Sequence, residues 1–131
     1  MGIHFRLLQD TDTKIVSQFI TSFYTEDMYE KQITPKKIKN TIQELEKHPE
    51  KGCIIVAEDT DKIIGYAIVI NYWSNEYGGN VLHLDEFYVL PAYRRKGIGT
   101  QFLNYIKAEK ICSPVALKLE VTKHNKKAQK F

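Results

Sequence analysis

One segment has the residue types and spacing of an anion site: Arg94-Arg95-Lys96-Gly97-Ile98-Gly99-Thr100. It follows a strand-like run ending Phe87-Tyr88-Val89 and then Pro91. It precedes Ile98, Phe102, Leu103 and Ile106, which recur at helical spacing. Backbone N–H groups at a helix start have no intrahelical partner and point outward. The macrodipole adds partial positive charge at the same end. Gly97 and Gly99 lack the side chains that would keep a phosphate from the backbone. The chemistry expected here is binding of a phosphate-bearing ligand. A dinucleotide fingerprint would need a third glycine where Phe102 stands, and the Gly-Lys-Ser/Thr of a P-loop is absent.

A second group lies upstream on the same strand: His83, Asp85 and Glu86. Acids are poor strand formers, so two adjacent ones within a strand stand out. Regular alternation puts His83 and Asp85 on one face and Glu86 on the other, unless a bulge intervenes. Carboxylates near the mouth of a site can attract an ammonium and relay its proton.

Residues 3–8 read as a strand, with Ile3, Phe5 and Leu7 on one face. Asp10, Asp12 and Thr13 are capping candidates for a helix carrying Ile15, Val16, Phe19, Ile20 and Phe23. Residues 25–31 read as a loop. Thr34-Pro35 starts a second helix, with Ile38, Ile42 and Leu45 as its inner stripe, and His48-Pro49 ends it. Residues 53–58 and 63–72 form an antiparallel hairpin around the turn at 59–62. Gly65 lies inside it, where a bulge or a close backbone approach is expected. Residues 73–80 read as a connection, and 81–89 as the next strand. After the helix that opens at Gly97, Ser113-Pro114 breaks the chain. Residues 115–121 alternate as a further strand, and 125–131 begin another helix. The order β-α-α-β-β-β-α-β-α predicts one mixed α/β domain over residues 1–131.

Composition narrows the function classes. The chain has 131 residues and a net charge of +3. Residues 91–131 hold ten Lys/Arg and two acids, against nine and fourteen in residues 1–90, which suits a polyanionic ligand. Aromatic platforms interleaved with those lysines are lacking, so nucleic-acid binding is not expected. No apolar run is long enough to span a membrane, and the N-terminus lacks a signal-peptide core, so a cytoplasmic protein is expected. Cys53 and Cys112 give neither a disulfide framework nor a zinc site and read as buried or partly buried free thiols.

Arg94-x-x-Gly97-x-Gly99, set a few residues after Phe87-Tyr88-Val89, resembles the acetyl-CoA motif Arg/Gln-x-x-Gly-x-Gly/Ala of the GNAT superfamily of N-acetyltransferases. The resemblance implies the GNAT fold, a mixed and mostly antiparallel sheet flanked by helices. It implies acetyl-CoA as cofactor and transfer of its acetyl group to a primary amine by direct attack. Arg95, Lys96, Gly97, Ile98, Gly99 and Thr100 would hold the pyrophosphate. Arg94, the first motif position in the cofactor-binding set, would brace that loop. Phe87, Tyr88 and Val89 would bond the pantetheine arm in a gap between their strand and the next. Asn125 matches an asparagine that bonds the same arm.

Leu84-Asp85-Glu86-Phe87-Tyr88-Val89, with Tyr93-Arg94 behind it, is similar to the diamine and polyamine (spermidine/spermine-type) branch. Tyr72-Trp73-Ser74 followed by Gly78-Gly79 is similar to a connection in the same branch. By that resemblance Asp85 and Glu86 are catalytic, contacting the amine or relaying its proton, and the acceptor is a small polyamine-like molecule. His83 stands where some protein-acetylating relatives carry a glutamate.

The family pattern continues Asn-x-x-Ala-x-x-Phe-Tyr. Here Asn125, Ala128 and Phe131 match, and the tyrosine that often protonates the leaving thiolate would come next. Tyr29, Tyr88 or Tyr93 could replace it, and nothing in the sequence selects one. The family's last strands are missing, so the fold is expected to be truncated at the C-terminus. The bare edge calls for a cover, such as a homodimer partner. The alternative reading is an acetyl-CoA-binding module without catalysis.

Overall fold

The computed structural model describes residues 2–26 and 32–119. Five strands form one sheet: β1 (Ile3–Leu7), β2 (Gly52–Asp59), β3 (Lys62–Ser74), β4 (Gly79–Val89) and β5 (Ala116–Leu119). Three helices flank it: α1 (Thr13–Glu26), α2 (Pro35–Lys47) and α3 (Ile98–Glu109). Strand order in space is β1-β2-β3-β4-β5. The first three pairings are antiparallel and β4–β5 is parallel. The expected element order therefore holds through β5. The segment expected as a final helix, with Asn125, lies outside the described residues, as does Tyr29.

Several boundaries differ from the sequence reading. The β3–β4 hairpin runs on to the pair Ser74–Gly79, so the connection shrinks from 73–80 to the tight turn 75–78. Cross-strand pairing holds Trp73 opposite Asn80 although its ring is exposed, so residues that look like loop by composition are strand. Helix α1 extends to Glu26, one residue past the expected start of the loop. Gly65 shows both expected features. Ile64 is the extra residue of a bulge against Ala57/Glu58, and a Cβ on Gly65 would collide with the carbonyl of Tyr88.

The start of α1 is tied to the sheet by charge. Asp12 is buried and accepts from the Gln9 amide at 2.8 Å, capping the short turn before α1. Arg6 of β1 donates to both oxygens of Asp12, at 2.7 and 3.0 Å, and through Nε to Glu58 at 3.3 Å. The Arg6 guanidinium holds the Asp12 carboxyl below the usual carboxylate range.

Each sheet face buries its own core. Helices α1 and α2 cover one face, packing Val16, Ile20, Phe23, Ile38 and Leu45 on Ile54, Val56, Tyr66, Ile68 and Tyr88. Helix α3 covers the other, packing Phe102 and Ile106 on Ile55, Ala67, Val69, Leu82 and Leu84. The expected apolar stripes of the helices are the buried ones, except that Ile15 remains 39% exposed at the edge of α1, and on β1 the expected inner residue Leu7 is 51% exposed. Both cysteines are free and half-buried, and burial pushes the Cys53 thiol up to about 12, so it is a packing residue rather than a nucleophile. Among the described residues no helix is long and apolar enough to cross a membrane.

Candidate active site

The glycine turn delivers an open helix N-terminus. After Val89 the chain makes one short turn (Pro91–Tyr93), then passes through Arg95 and Gly97, both left-handed, with φ of 62° and 77°. Gly97 is the N-cap of α3, and no side chain caps the helix there. Its carbonyl accepts from the Gln101 amide, which starts the helical ladder. The amides ahead of Gln101 are the ones a helix leaves without partners. A Cβ on Gly97 would meet nothing within 4 Å, so the space beside the N-cap is open among the described residues. Arg95 and Lys96 are exposed beside it. Left-handed backbone, the amides a helix start leaves without helical partners and two flanking cations have the chemistry of a diphosphate site. The residues present therefore fit the pyrophosphate of acetyl-CoA.

Arg94 faces away from that site. Its Nε donates to the carbonyl of Val89 at 2.8 Å. Its Nη2 pairs with Glu26 at the end of α1, also at 2.8 Å, and its guanidinium lies 5.4 Å from the centre of the Tyr88 ring. The side chain thus ties the turn to the end of β4 and to the last turn of α1.

Strand β4 leads from the acids to this turn, and its backbone groups alternate between two edges. Leu90 donates its N–H to Ile64 of β3 at 2.8 Å, and the Tyr88 carbonyl also faces β3. Backbone groups alternate along a strand, so Phe87 and Val89 turn theirs to the opposite edge. Described pairing with β5 ends at Leu84–Leu119, and among the described residues no strand covers that edge further on. An extended ligand arm running from the helix terminus along this edge would pass Phe87 and the Val89 N–H, the Val89 carbonyl being held by Arg94, while Tyr88 turns its own groups away.

The paired acids sit where the strand changes face. Ile68 pairs with Glu86 and Val69 with Leu84, so Asp85 is the extra residue of a bulge. That bulge corrects the expected alternation. Leu82 and Leu84 face α3, whereas Glu86 joins Tyr88 on the α1/α2 face. His83, paired with Ile70, lies on this same face, so it is Glu86 and not Asp85 that shares a face with His83. Asp85 itself is exposed.

Glu86 is only 7% exposed. Two phenols donate to it: Tyr24 of α1 to Oε2 at 2.7 Å, and Tyr66 of β3 to Oε1 at 2.8 Å. Burial raises the proton affinity of its carboxyl above the ordinary value, opposed by the two phenol hydrogen bonds and reinforced by the charge of Asp85. Sequence reasoning missed Tyr24, Tyr66 and Glu26. Tyr66 lies in an apolar strand and Tyr24 beside an apolar helix stripe, so both read as core, and Glu26 reads as loop. Their polar roles arise from partners 62, 20 and 68 residues away.

Comparison with known proteins bears on the same architecture. The model of the acetyltransferase (GNAT) family matches residues 15–131. The chain belongs to the GNAT acetyltransferase family. Among curated proteins, none matches. Solved structures agree with the GNAT fold seen here. One, described as "a possible acetyltransferase from Clostridium difficile 630", is 27% identical over 99% of this chain and 86% of its own, with a TM-score of 0.79. A predicted acetyltransferase from Clostridium acetobutylicum, solved with acetyl-CoA, is 17% identical over 98% of this chain and 87% of its own, with a TM-score of 0.78. AAC(6')-Iy, solved with the bisubstrate analog CoA-S-monomethyl-acetylneamine, is 14% identical over 99% and 86%, with a TM-score of 0.80. At those identities the last two show a shared fold alone. In this GNAT chain the α3 terminus and the end of β4 lie next to each other in sequence, and the bulged acids stand directly upstream.

Proposed function

We propose that this protein is an acetyl-CoA-dependent N-acetyltransferase whose acceptor is the primary amine of a small, cationic, polyamine-like molecule. The observation that carries the reading is Glu86: a buried carboxyl of raised proton affinity, held at a bulge of β4 beside the backbone groups of Phe87 and Val89. Free alkylamines are protonated at neutral pH, with a pKa of about 10, so the acceptor must shed a proton before it can attack. A carboxylate whose pKa has moved toward the working pH is the better general base. When bound, acetyl-CoA supplies the thioester carbonyl at which the new C–N bond forms as the C–S bond breaks.

Residues Arg95 to Thr100 bind the pyrophosphate through backbone amides and flanking charge. Phe87 and Val89 orient the arm from the strand edge, with Tyr88 between them packed into the core. Arg94 holds the turn in shape. Glu86 takes the amine proton, directly or through one water. Asp85, exposed at the bulge, attracts the ammonium of the incoming acceptor. A polyamine suits this arrangement because a second ammonium can stay near Asp85 while the first is neutralised. The likeness of Leu84–Val89 to the polyamine branch supports the same class.

The test is thiol release from acetyl-CoA by this chain against polyamines, amino acids, aminoglycosides and a lysine-rich peptide. Aminoglycosides belong in the panel because AAC(6')-Iy shares the fold and was solved with an acetylneamine analog. Release stimulated by diamines and polyamines above the other classes is the expected result. Selective release with another amine class would keep the transferase and replace the acceptor. If no amine stimulates release while acetyl-CoA still raises Tm, the chain is a CoA-binding module and the catalytic reading is wrong.

A further inference from the structure

We propose that Tyr24 and Tyr66 act as a two-hydroxyl clamp that holds the Glu86 carboxylate in one orientation and in its proton-accepting form. The last turn of α1 would then set the pH range in which the site works. The proposal rests on the reading of Glu86 as the proton acceptor.

Each Glu86 oxygen receives one phenol, at 2.7 and 2.8 Å, from elements on different sides of the carboxyl. A carboxylate can accept both bonds at once. A protonated carboxyl must donate on one side, which requires one phenol to turn its hydrogen away. The pair therefore favours the charged form, against the burial that opposes it. Among the described residues the other titratable groups near Glu86 are few. His83 and Tyr88 share its face of β4, Asp85 stands next to it at the bulge, and the guanidinium of Arg94 lies over the Tyr88 ring. Helix α2 brings Ile38, Ile42 and Leu45, none of which titrates. Among the described residues facing Glu86, the two phenols are the direct hydrogen-bond donors to its carboxyl.

The two jaws differ. Tyr66 is 1% exposed within the sheet and is held by neighbouring strands. Tyr24 is half-buried near the end of a helix, two residues before Glu26. Glu26 pairs with Arg94, and Arg94 bonds the Val89 carbonyl. The α1 jaw is thereby fastened to the turn that opens α3. Tyr24 and Tyr66 are positioning residues, because they act through Glu86.

The decisive variant is Tyr24→Phe, which removes one oxygen and keeps the ring packed against Phe23. Two pH dependences would be measured on the full chain. One is kcat/KM with acetyl-CoA and the best amine of the panel. The other is an infrared titration of the buried carboxyl, with Glu86→Gln used to identify its band. Losing a hydrogen bond to a charged group should move both upward by about one pH unit, a roughly tenfold loss of kcat/KM on the acid limb with the alkaline plateau retained. Tyr66→Phe should move both in the same direction. A merely structural phenol would lower Tm or kcat at every pH and shift neither curve. The clamp is overturned if either curve stays at its wild-type pH in a folded Tyr24→Phe protein. Should Glu86→Gln turn over at the wild-type rate, the proton-acceptor reading fails first and takes the clamp with it.

Discussion

Gly97 offers a separation of two effects that a single substitution would confuse. Its φ of 77° and ψ of 14° are left-handed, and a Cβ there would meet nothing within 4 Å. Gly97→Ala is thus a conformational perturbation without a clash, and it should cost about 1–2 kcal/mol. For a domain of this size that is a fall in Tm of roughly 3–6 °C. Gly97→Glu carries a similar backbone cost and adds a negative charge at the diphosphate site. Two unit charges about 4 Å apart interact by about 1 kcal/mol in bulk water and about 4 at a protein surface. The site is exposed and salt screens it, so a diphosphate should lose about 2 kcal/mol, close to a thirtyfold rise in Kd. Calorimetric titration with acetyl-CoA, alongside thermal unfolding of the free proteins, measures both quantities. The expected pattern is a similar Tm for the two variants, with Kd raised a few-fold by Ala and roughly a hundredfold by Glu. Equal acetyl-CoA affinity in the two variants would refute the placement of the diphosphate at this turn.

Further outcomes follow from the charges around the sheet. Glu86→Gln should reduce turnover by about 10²–10⁴-fold, the usual contribution of a general base, while acetyl-CoA affinity is kept. The same variant should melt no lower than wild type at neutral pH. The folded-state carboxyl pKa is raised, so the stability it contributes is present below the ordinary value of 4.5 and is lost as pH rises through the raised value. A Glu86→Gln protein markedly less stable at pH 7 would contradict this. Arg94→Ala removes an exposed ion pair, a backbone hydrogen bond and a ring contact together, so a loss of about 1–2 kcal/mol is expected. Acetyl-CoA binding should weaken several-fold with it, and unchanged values of both would show that the tie is idle. Arg6→Leu leaves buried Asp12 unpaired. Because the Arg6 side chain keeps 29% exposure, the loss should be about 2 kcal/mol rather than the roughly 3–5 of a fully buried pair. The Asp12 pKa is depressed, so its stabilisation exists above the ordinary carboxylate value and disappears as pH falls through the depressed one. Urea titrations of both proteins at neutral and acid pH would show the gap between them closing in acid.

What the amino-acid sequence determined by itself was local. Thr34 caps α2 through the Lys37 amide with Pro35 at the first position, as the residue types require. The order of strands and helices was readable because helices repeat at 3.6 residues and strands at two, and each period can be counted along the chain. The glycine turn that opens α3 was readable for the same reason, since Gly97 and the helix after it lie within a few residues of each other. Tertiary structure decided which face each acid takes. Inserting Asp85 as a bulge reverses the alternation of everything after it, and a bulge is set by strand pairing rather than by any residue in the run. It also decided the environment of Glu86. Its phenols come from a helix and a strand whose sequences announce only apolar packing, and its proton affinity depends on burial that exists once α1 has docked on the sheet. A carboxyl's chemistry is a property of its surroundings, and those are assembled from residues far apart in the chain.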